Sequence, residues 1–170
     1  MGYDLYTEAE GVDGKDGYFR WNIWGWPPIL NLGTMYGWEP AGTTIQPLTP
    51  ELIQEHSISE EEARRHNIHA VEWEGSYHGN DGAIVSAEDA SKLADALEAS
   101  LDDIPDFEIK TPGAQEDGTV RLDNKAHEKH RQSLRDGAMA AYAVEYSGKE
   151  NKEYIRKFIK FLRLGAFSIC

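Results

Sequence analysis

The stretch YFRWNI at residues 18–23 is typical of a half-buried β-strand. Phe19, Trp21 and Ile23 would lie on one face of such a strand, because successive side chains point to opposite faces. The opening stretch GYDLY at residues 2–6 alternates in the same way, and an acidic, turn-rich segment separates the two. The sequence therefore predicts an antiparallel hairpin near its beginning.

Signals for helices follow at several places along the chain. Ser86 can cap a helix whose apolar residues recur at helical spacing up to about Leu101, and Ser59 and Glu62 have the spacing of a capping box. These patterns predict an α+β fold, a small, mostly antiparallel sheet covered by several helices, in a single domain at residues 1–170. Further helices are expected from Pro28 to Tyr36, from Thr49, from about Lys125 to Tyr146 and from about Asn151 to Leu164. A further strand is expected at residues 166–169.

Two segments between these helices have weaker patterns. Residues 68–73 can form a strand, and the Gly-Asn-Asp-Gly run at residues 79–82 suits a tight turn into residues 83–85, so a second hairpin is expected. Residues 103–124 combine proline and glycine with polar residues and are predicted to form a mobile loop.

Acidic residues are concentrated in the middle of the chain. The 170 residues carry a formal net charge of -13, and fifteen acidic residues against three basic ones lie between Glu51 and Asp106, whereas the segment from Lys149 to Cys170 is basic. This balance repels phosphate backbones and anionic lipids, so binding to nucleic acid or to a membrane is not expected. The acidic surface can complement the basic last helix, either within one chain or between the subunits of a homo-oligomer. Alternatively, it forms a docking face for a basic protein partner.

Several kinds of site are not expected. Cys170 is the single cysteine, which excludes an intramolecular disulfide and a cysteine-based zinc cluster. His66 and His69 are three residues apart, and His127 and His130 fall one residue short of the His-Glu-x-x-His zinc pattern, so neither a metal nor a cofactor is expected. The chain has no nucleophile-elbow, phosphate-loop or dinucleotide motif, and no signal peptide or long apolar run. A cytoplasmic protein without covalent catalysis is expected.

Four of the five tryptophans lie within residues 21–38. Core packing explains such a cluster, but rigid indoles beside glycine and proline also suit a patch that binds a partner. We expect exposed aromatic residues near Trp24 and Trp26 to anchor a partner and nearby carboxylates to attract it. The candidate binding residues are Trp24, Trp26, Glu72, Glu74, Tyr77, Asn80 and Asp81.

His78 and Asp81 support an alternative hypothesis. A small ligand-binding domain or an acid-base enzyme would use a cleft between the Trp-rich segment and the turn at residues 77–82, where these two side chains could transfer protons. Turn chemistry explains Asn80, Asp81 and Gly82 equally well. The enzyme therefore stays the alternative to the binding protein.

Several motifs resemble those of a family of uncharacterised bacterial proteins. They are GYDLY at residues 2–6, YFRWNIWG at 18–25, YGWEPAGT at 36–43, NDG at 80–82 and VSAEDA at 85–90. The resemblance spans most of the chain and implies a shared compact domain, without an established activity or catalytic residue. The opening also looks, more loosely, like that of some immunity proteins of toxin systems. The leading expectation is a cytosolic acidic protein, an inhibitor or immunity-type factor, that binds a basic protein.

Overall fold

A four-stranded antiparallel sheet forms one layer of the molecule, and the buried core lies between one face of this sheet and the helices. The computed structural model describes residues 2–12, 14–108 and 146–170. The four strands and five helices of these residues confirm the predicted α+β fold. In chain order the elements are β1 (Gly2–Thr7), β2 (Tyr18–Asn22), α1 (Trp26–Met35), α2 (Pro50–Glu55), α3 (Glu60–Glu72), β3 (Ala83–Val85), α4 (Ala87–Ser100), α5 (Lys149–Leu162) and β4 (Phe167–Ile169).

Strand β4 lies in the interior of the sheet. The strand order is β2-β1-β4-β3, and every neighbouring pair is antiparallel. Leu5 of β1 is opposite Phe19 on one side and Ile169 on the other, so these side chains point to the same face, where the core lies. The predicted β1–β2 hairpin and the predicted terminal strand are both confirmed.

Each outer edge of the sheet is partly covered. Thr44 exchanges two backbone hydrogen bonds with Ile84 of β3, with N–O distances of 3.0 and 2.7 Å. At the other edge, the phenol of Tyr154 donates to the carbonyl oxygen of Arg20 in β2. Both contacts satisfy backbone groups that an edge strand would otherwise offer to another chain.

Local capping signals fix where the helices begin and end. Ser59 and Glu62 form both hydrogen bonds of a capping box at the start of α3. Ser86 Oγ accepts a hydrogen bond from the Asp89 backbone N–H, at 3.2 Å, at the start of α4. Gly37 follows α1 with a φ of +92°, a left-handed conformation that glycine adopts without strain. These signals were all visible in the sequence.

The strand predicted at residues 68–73 is wrong, because this segment continues α3 to Glu72. The capping box starts a helix that no glycine or proline interrupts, and Ile68 and Val71 lie three residues apart on its exposed side. The predicted hairpin into β3 is therefore also wrong, since β3 pairs with β4. Gly82 does take the positive φ expected of its turn, +74°.

Two further predictions fall largely outside the described residues. The loop predicted at residues 103–124 is described only as far as Glu108, and the helix predicted from about Lys125 is described only at Tyr146. Both stay predictions.

Asp89, in the first turn of α4, is buried, with 1% of its surface exposed. Its carboxyl oxygens accept hydrogen bonds from the Trp38 indole (2.9 Å), the Ala41 backbone N–H (3.2 Å) and the Tyr77 phenol. The Tyr77 oxygen in turn accepts one from the Gly42 N–H, at 3.0 Å. One side chain at the start of α4 thus fixes two segments that are distant from it in the sequence.

Cations of the last helical segment neutralise part of the acidic middle of the chain. Arg163, directly after α5, places Nη2 2.6 Å from an Asp95 carboxyl oxygen and 2.9 Å from one of Glu98, both on α4. Lys152 of α5 is 8% exposed, and its Nζ lies 2.9 Å from Asp106 Oδ1. The hydrogen bond and charge of Lys152 lower the pKa of this carboxyl. Complementarity within the chain therefore accounts for the acidic side chains that contact the last helical segment.

Replacing Asp89 with alanine is expected to lower the free energy of unfolding by about 3 kcal/mol or more, because three donors lose their acceptor in the core. Urea denaturation followed by tryptophan fluorescence measures the loss. Glu88→Ala is the matched control, since Glu88 is exposed and its ion pair with Lys92 lies at the surface of the same helix, and its unfolding midpoint should barely move. Equal, small effects of the two substitutions would show that the Asp89 contacts do not stabilise the fold.

Arg163→Gln is expected to reduce the free energy of unfolding by no more than about 1 kcal/mol, because its ion pairs are partly exposed and solvent screens them. The difference from the parent protein should shrink as salt is added to the denaturation buffer. Lys157→Gln, at an exposed position of α5 without an ion pair in the described part of the chain, is the control. A loss that salt leaves unchanged would assign the effect to packing of the arginine stem.

Candidate functional site

Trp24 lies in the turn between β2 and α1, and 80% of its surface is exposed. Asn22 Oδ1 accepts hydrogen bonds from the backbone N–H groups of Trp24 (3.0 Å) and Gly25 (2.6 Å). Such bonds from a short polar side chain to the backbone ahead of it hold a turn in one conformation. The backbone that carries the Trp24 indole is therefore fixed, next to a partly exposed Ile23.

The turn at residues 78–82 lies at the same end of the sheet. Asn80 Nδ2 donates to the Gly2 carbonyl oxygen (3.4 Å), and the Tyr3 phenol donates to the His78 carbonyl oxygen (3.2 Å). Gly2 is paired with Asn22, the last residue of β2. This surface, termed the Trp24 end, comprises Trp24, His78, Asn80 and Asp81.

The C-terminal end of α3 joins the Trp24 end through Trp73. A Cβ atom built on Gly79 would lie 2.6 Å from Asp81 Oδ2 and 2.8 Å from Trp73 Cη2, so the Asp81 carboxyl and the Trp73 ring both lie against this glycine. Only a residue without a side chain permits this approach. The carboxylates on either side of Trp73, Glu72 and Glu74, are exposed. Five of the seven predicted binding residues are thus exposed, and they are Trp24, Glu72, Glu74, Asn80 and Asp81.

Trp26 and Tyr77 are core residues, and the expectation of an exposed aromatic anchor at Trp26 is wrong. Trp26 is fully buried and Tyr77 is 8% exposed. The Trp26 indole Nε1 donates to the Tyr77 carbonyl oxygen at 2.7 Å, and its ring packs against Tyr3 with 5.5 Å between centroids. As the first residue of α1, Trp26 turns toward the sheet, whereas Trp24 two residues earlier remains in solvent.

The same contact fills the junction at which the alternative hypothesis places a cleft. Trp26 and Tyr77 touch directly there, so protein atoms occupy the space between the Trp-rich segment and the turn. His78 and Asp81 are both exposed. The structure thus brings the predicted acid-base pair to an open surface.

A cleft of about 470 Å³ lies elsewhere, where the end of α1 faces α4. Lys92 Nζ is 2.7 Å from Glu88, and Asp95 pairs with the arginine that follows α5. The Tyr36 phenol donates to Asp103 at 2.6 Å, and burial together with this carboxyl raises the pKa of Tyr36 well above its usual value. This cleft could not be predicted from the sequence, because its walls meet only in the folded chain. They are Tyr36, Gly37, Glu39, Lys92, Asp95 and Ala96.

The described residues show neither a cluster of metal ligands nor a membrane-spanning helix. Within residues 2–12, 14–108 and 146–170, no group of three or more His, Cys, Asp or Glu side chains could hold a metal ion. His66 Nε2 lies 2.9 Å from the Gln46 carbonyl oxygen, and the His69 ring packs against Trp73. The histidine pair at residues 127 and 130 lies outside the described residues. Among the helices that the structure describes, none is long and apolar enough to cross a membrane.

Comparison with protein-family models, curated proteins and solved structures gives no match to this chain. The resemblance to bacterial proteins stays a prediction.

Proposed function

We propose that the chain is an acidic binding protein whose Trp24 end docks a basic protein partner. Trp24 is the apolar anchor, and the carboxylates of Glu72, Glu74 and Asp81 attract the partner. The observation that carries this proposal is the 80% exposure of Trp24 on a turn that Asn22 holds in place.

A tryptophan on a fixed turn has the properties that an interface anchor needs. An indole buries about 150–250 Å² when a partner covers it, and hot spots of protein interfaces are enriched in tryptophan. Because Asn22 already orders the turn, binding loses less conformational entropy than it would with a mobile loop. The polar side chains of Asn80 and Asp81 supply the kind of rim that surrounds such anchors.

The carboxylates near the Trp24 end differ from those of α4 in their charge balance. The Arg163 guanidinium pairs with both Asp95 and Glu98 and offsets part of their negative charge. In the described part of the chain, Glu72, Glu74 and Asp81 have no ion pair. Uncompensated negative charge speeds the encounter with a positively charged protein, and salt weakens this effect.

A protein that captures a basic partner without a chemical step would act as an inhibitor or an immunity-type factor in the cytoplasm. The same net charge that favours a basic protein disfavours nucleic acid and anionic lipid surfaces. Such a protein recognises its partner by shape and charge, so the proposed role requires no cofactor.

Trp24→Ala is expected to weaken binding of the partner about 30-fold, the loss typical of an interface hot spot. The partner is first captured from an extract of the source cells at low salt and identified by mass spectrometry, and the purified pair is then measured by calorimetry. Stability should hardly change, because the indole is in solvent in the free protein. The control is Tyr6→Ala, an exposed aromatic on the face of the sheet opposite the core, which should leave the affinity unchanged.

Reversing the charge at two positions tests whether the carboxylates attract the basic partner. The double variant E74K/D81K is expected to slow association by about tenfold at low salt and much less at high salt. Stopped-flow mixing with the purified partner measures both rates. Full affinity of the Trp24→Ala protein, or association that ignores both charge reversal and salt, would refute the proposed function.

A further inference from the structure

We propose that the exposed face of α3 is a two-fold interface, at which α3 packs antiparallel against α3 of a second copy of the chain. This interface does not depend on the proposed function. It rests on four exposed residues of one helix face, Arg64, Ile68, Val71 and Glu72.

The inner face of α3 is fixed to the segment that precedes α2. Asn67 donates from Nδ2 to the Leu48 carbonyl oxygen (3.2 Å) and accepts from the Leu48 N–H (2.7 Å). His66 Nε2 lies 2.9 Å from the Gln46 carbonyl oxygen, and Ala63 is the one buried residue of the helix. The opposite face is therefore held outward on a rigid support.

This outward face has an apolar centre. Ile68 is 46% exposed and Val71 is 84% exposed, and they lie three residues apart on neighbouring turns. A β-branched side chain as exposed as Val71 gains free energy from any contact that removes it from water. The pair thus marks the middle of a surface that a partner can cover.

The charges on either side of this centre are self-complementary. Arg64 is four residues before Ile68 and Glu72 is four residues after it, so all three lie on one ridge of the helix. When two such helices cross antiparallel at Ile68, each Arg64 faces Glu72 of the other copy. A two-fold axis forms this ion pair twice, as isologous interfaces do. A parallel arrangement would instead bring like charges together.

Arg64 and Glu72 are available for these contacts. Arg65, the next residue, pairs with Glu61 of its own helix, whereas neither Arg64 nor Glu72 forms an ion pair with any described residue. The basic side of the last helical segment is a poorer candidate for self-association, because Lys152 and Arg163 are already paired inside the chain.

The dimensions of α3 set the strength of the dimer. Its thirteen residues span about 20 Å, so the contact is smaller than a standard protein interface. We expect a weak, concentration-dependent dimer that high salt dissociates further.

Sedimentation velocity over a wide range of protein concentration, at low and high salt, tests the interface. R64E and E72R should each weaken dimerisation at least about tenfold, because each places like charges opposite one another. An equimolar mixture of the two variants should dimerise again, since one chain then carries two acidic groups and the other two basic groups. The double variant R64E/E72R should also recover, because it exchanges the two charges.

Matched variants keep this test separate from the proposed function. V71S should weaken the dimer, whereas K157E, a charge reversal on the exposed side of α5, and Trp24→Ala should not. A parent protein that stays monomeric at every concentration, an R64E protein that dimerises normally, or a mixture that fails to recover would each overturn the interface. Failure to bind a basic partner would leave these results unaffected.

Discussion

The hydrogen bonds to the Asp89 carboxyl hold together three segments that lie far apart in the sequence. Trp38 and Ala41 lie after α1, and Tyr77 lies before β3. Between these points the chain leaves the core to form α2 and α3 and then returns. Thr43 closes the base of this excursion with hydrogen bonds to the carbonyl oxygens of residues 75 and 76, at 3.1 and 2.6 Å. The base of the excursion that carries α3 is thus held by Asp89 and Thr43.

The acidic residues of the middle of the chain have different roles in different elements. On α4, two carboxylates are bound by Arg163 and a third is an acceptor in the core. At the end of α3 and in the turn that follows, the carboxylates are exposed and lack an ion pair among the described residues. The net charge describes both groups with one number, but among the described residues only the first group has a cation that offsets part of its charge.

The parts of the fold that depend on local sequence were predictable, and the parts that depend on distant contacts were not. The β1–β2 hairpin follows from alternation, and α3 and α4 start at Ser59 and Ser86 because a capping side chain needs only its own helix. The pairing of β3 was not predictable, since its three residues could serve several partners and β4 lies over eighty residues away. The two tryptophans of the site differ in the same way. Trp24 and Trp26 are the same residue type and lie two positions apart in the sequence. Trp26 is buried because it begins α1, whereas Trp24 precedes the helix and stays exposed.

The position of β4 between β1 and β3 has a consequence for biosynthesis. A ribosome that has made residues 2–22 has made a complete hairpin, yet the neighbour that β1 needs on its other side is encoded at residues 167–169. Two-stranded hairpins are marginally stable in water, so the nascent chain must keep its apolar side chains soluble until this distant segment emerges. Pairing of β1 with β4 is therefore expected only after residues 167–169 have been made, and to be slow because the two strands are far apart in the sequence.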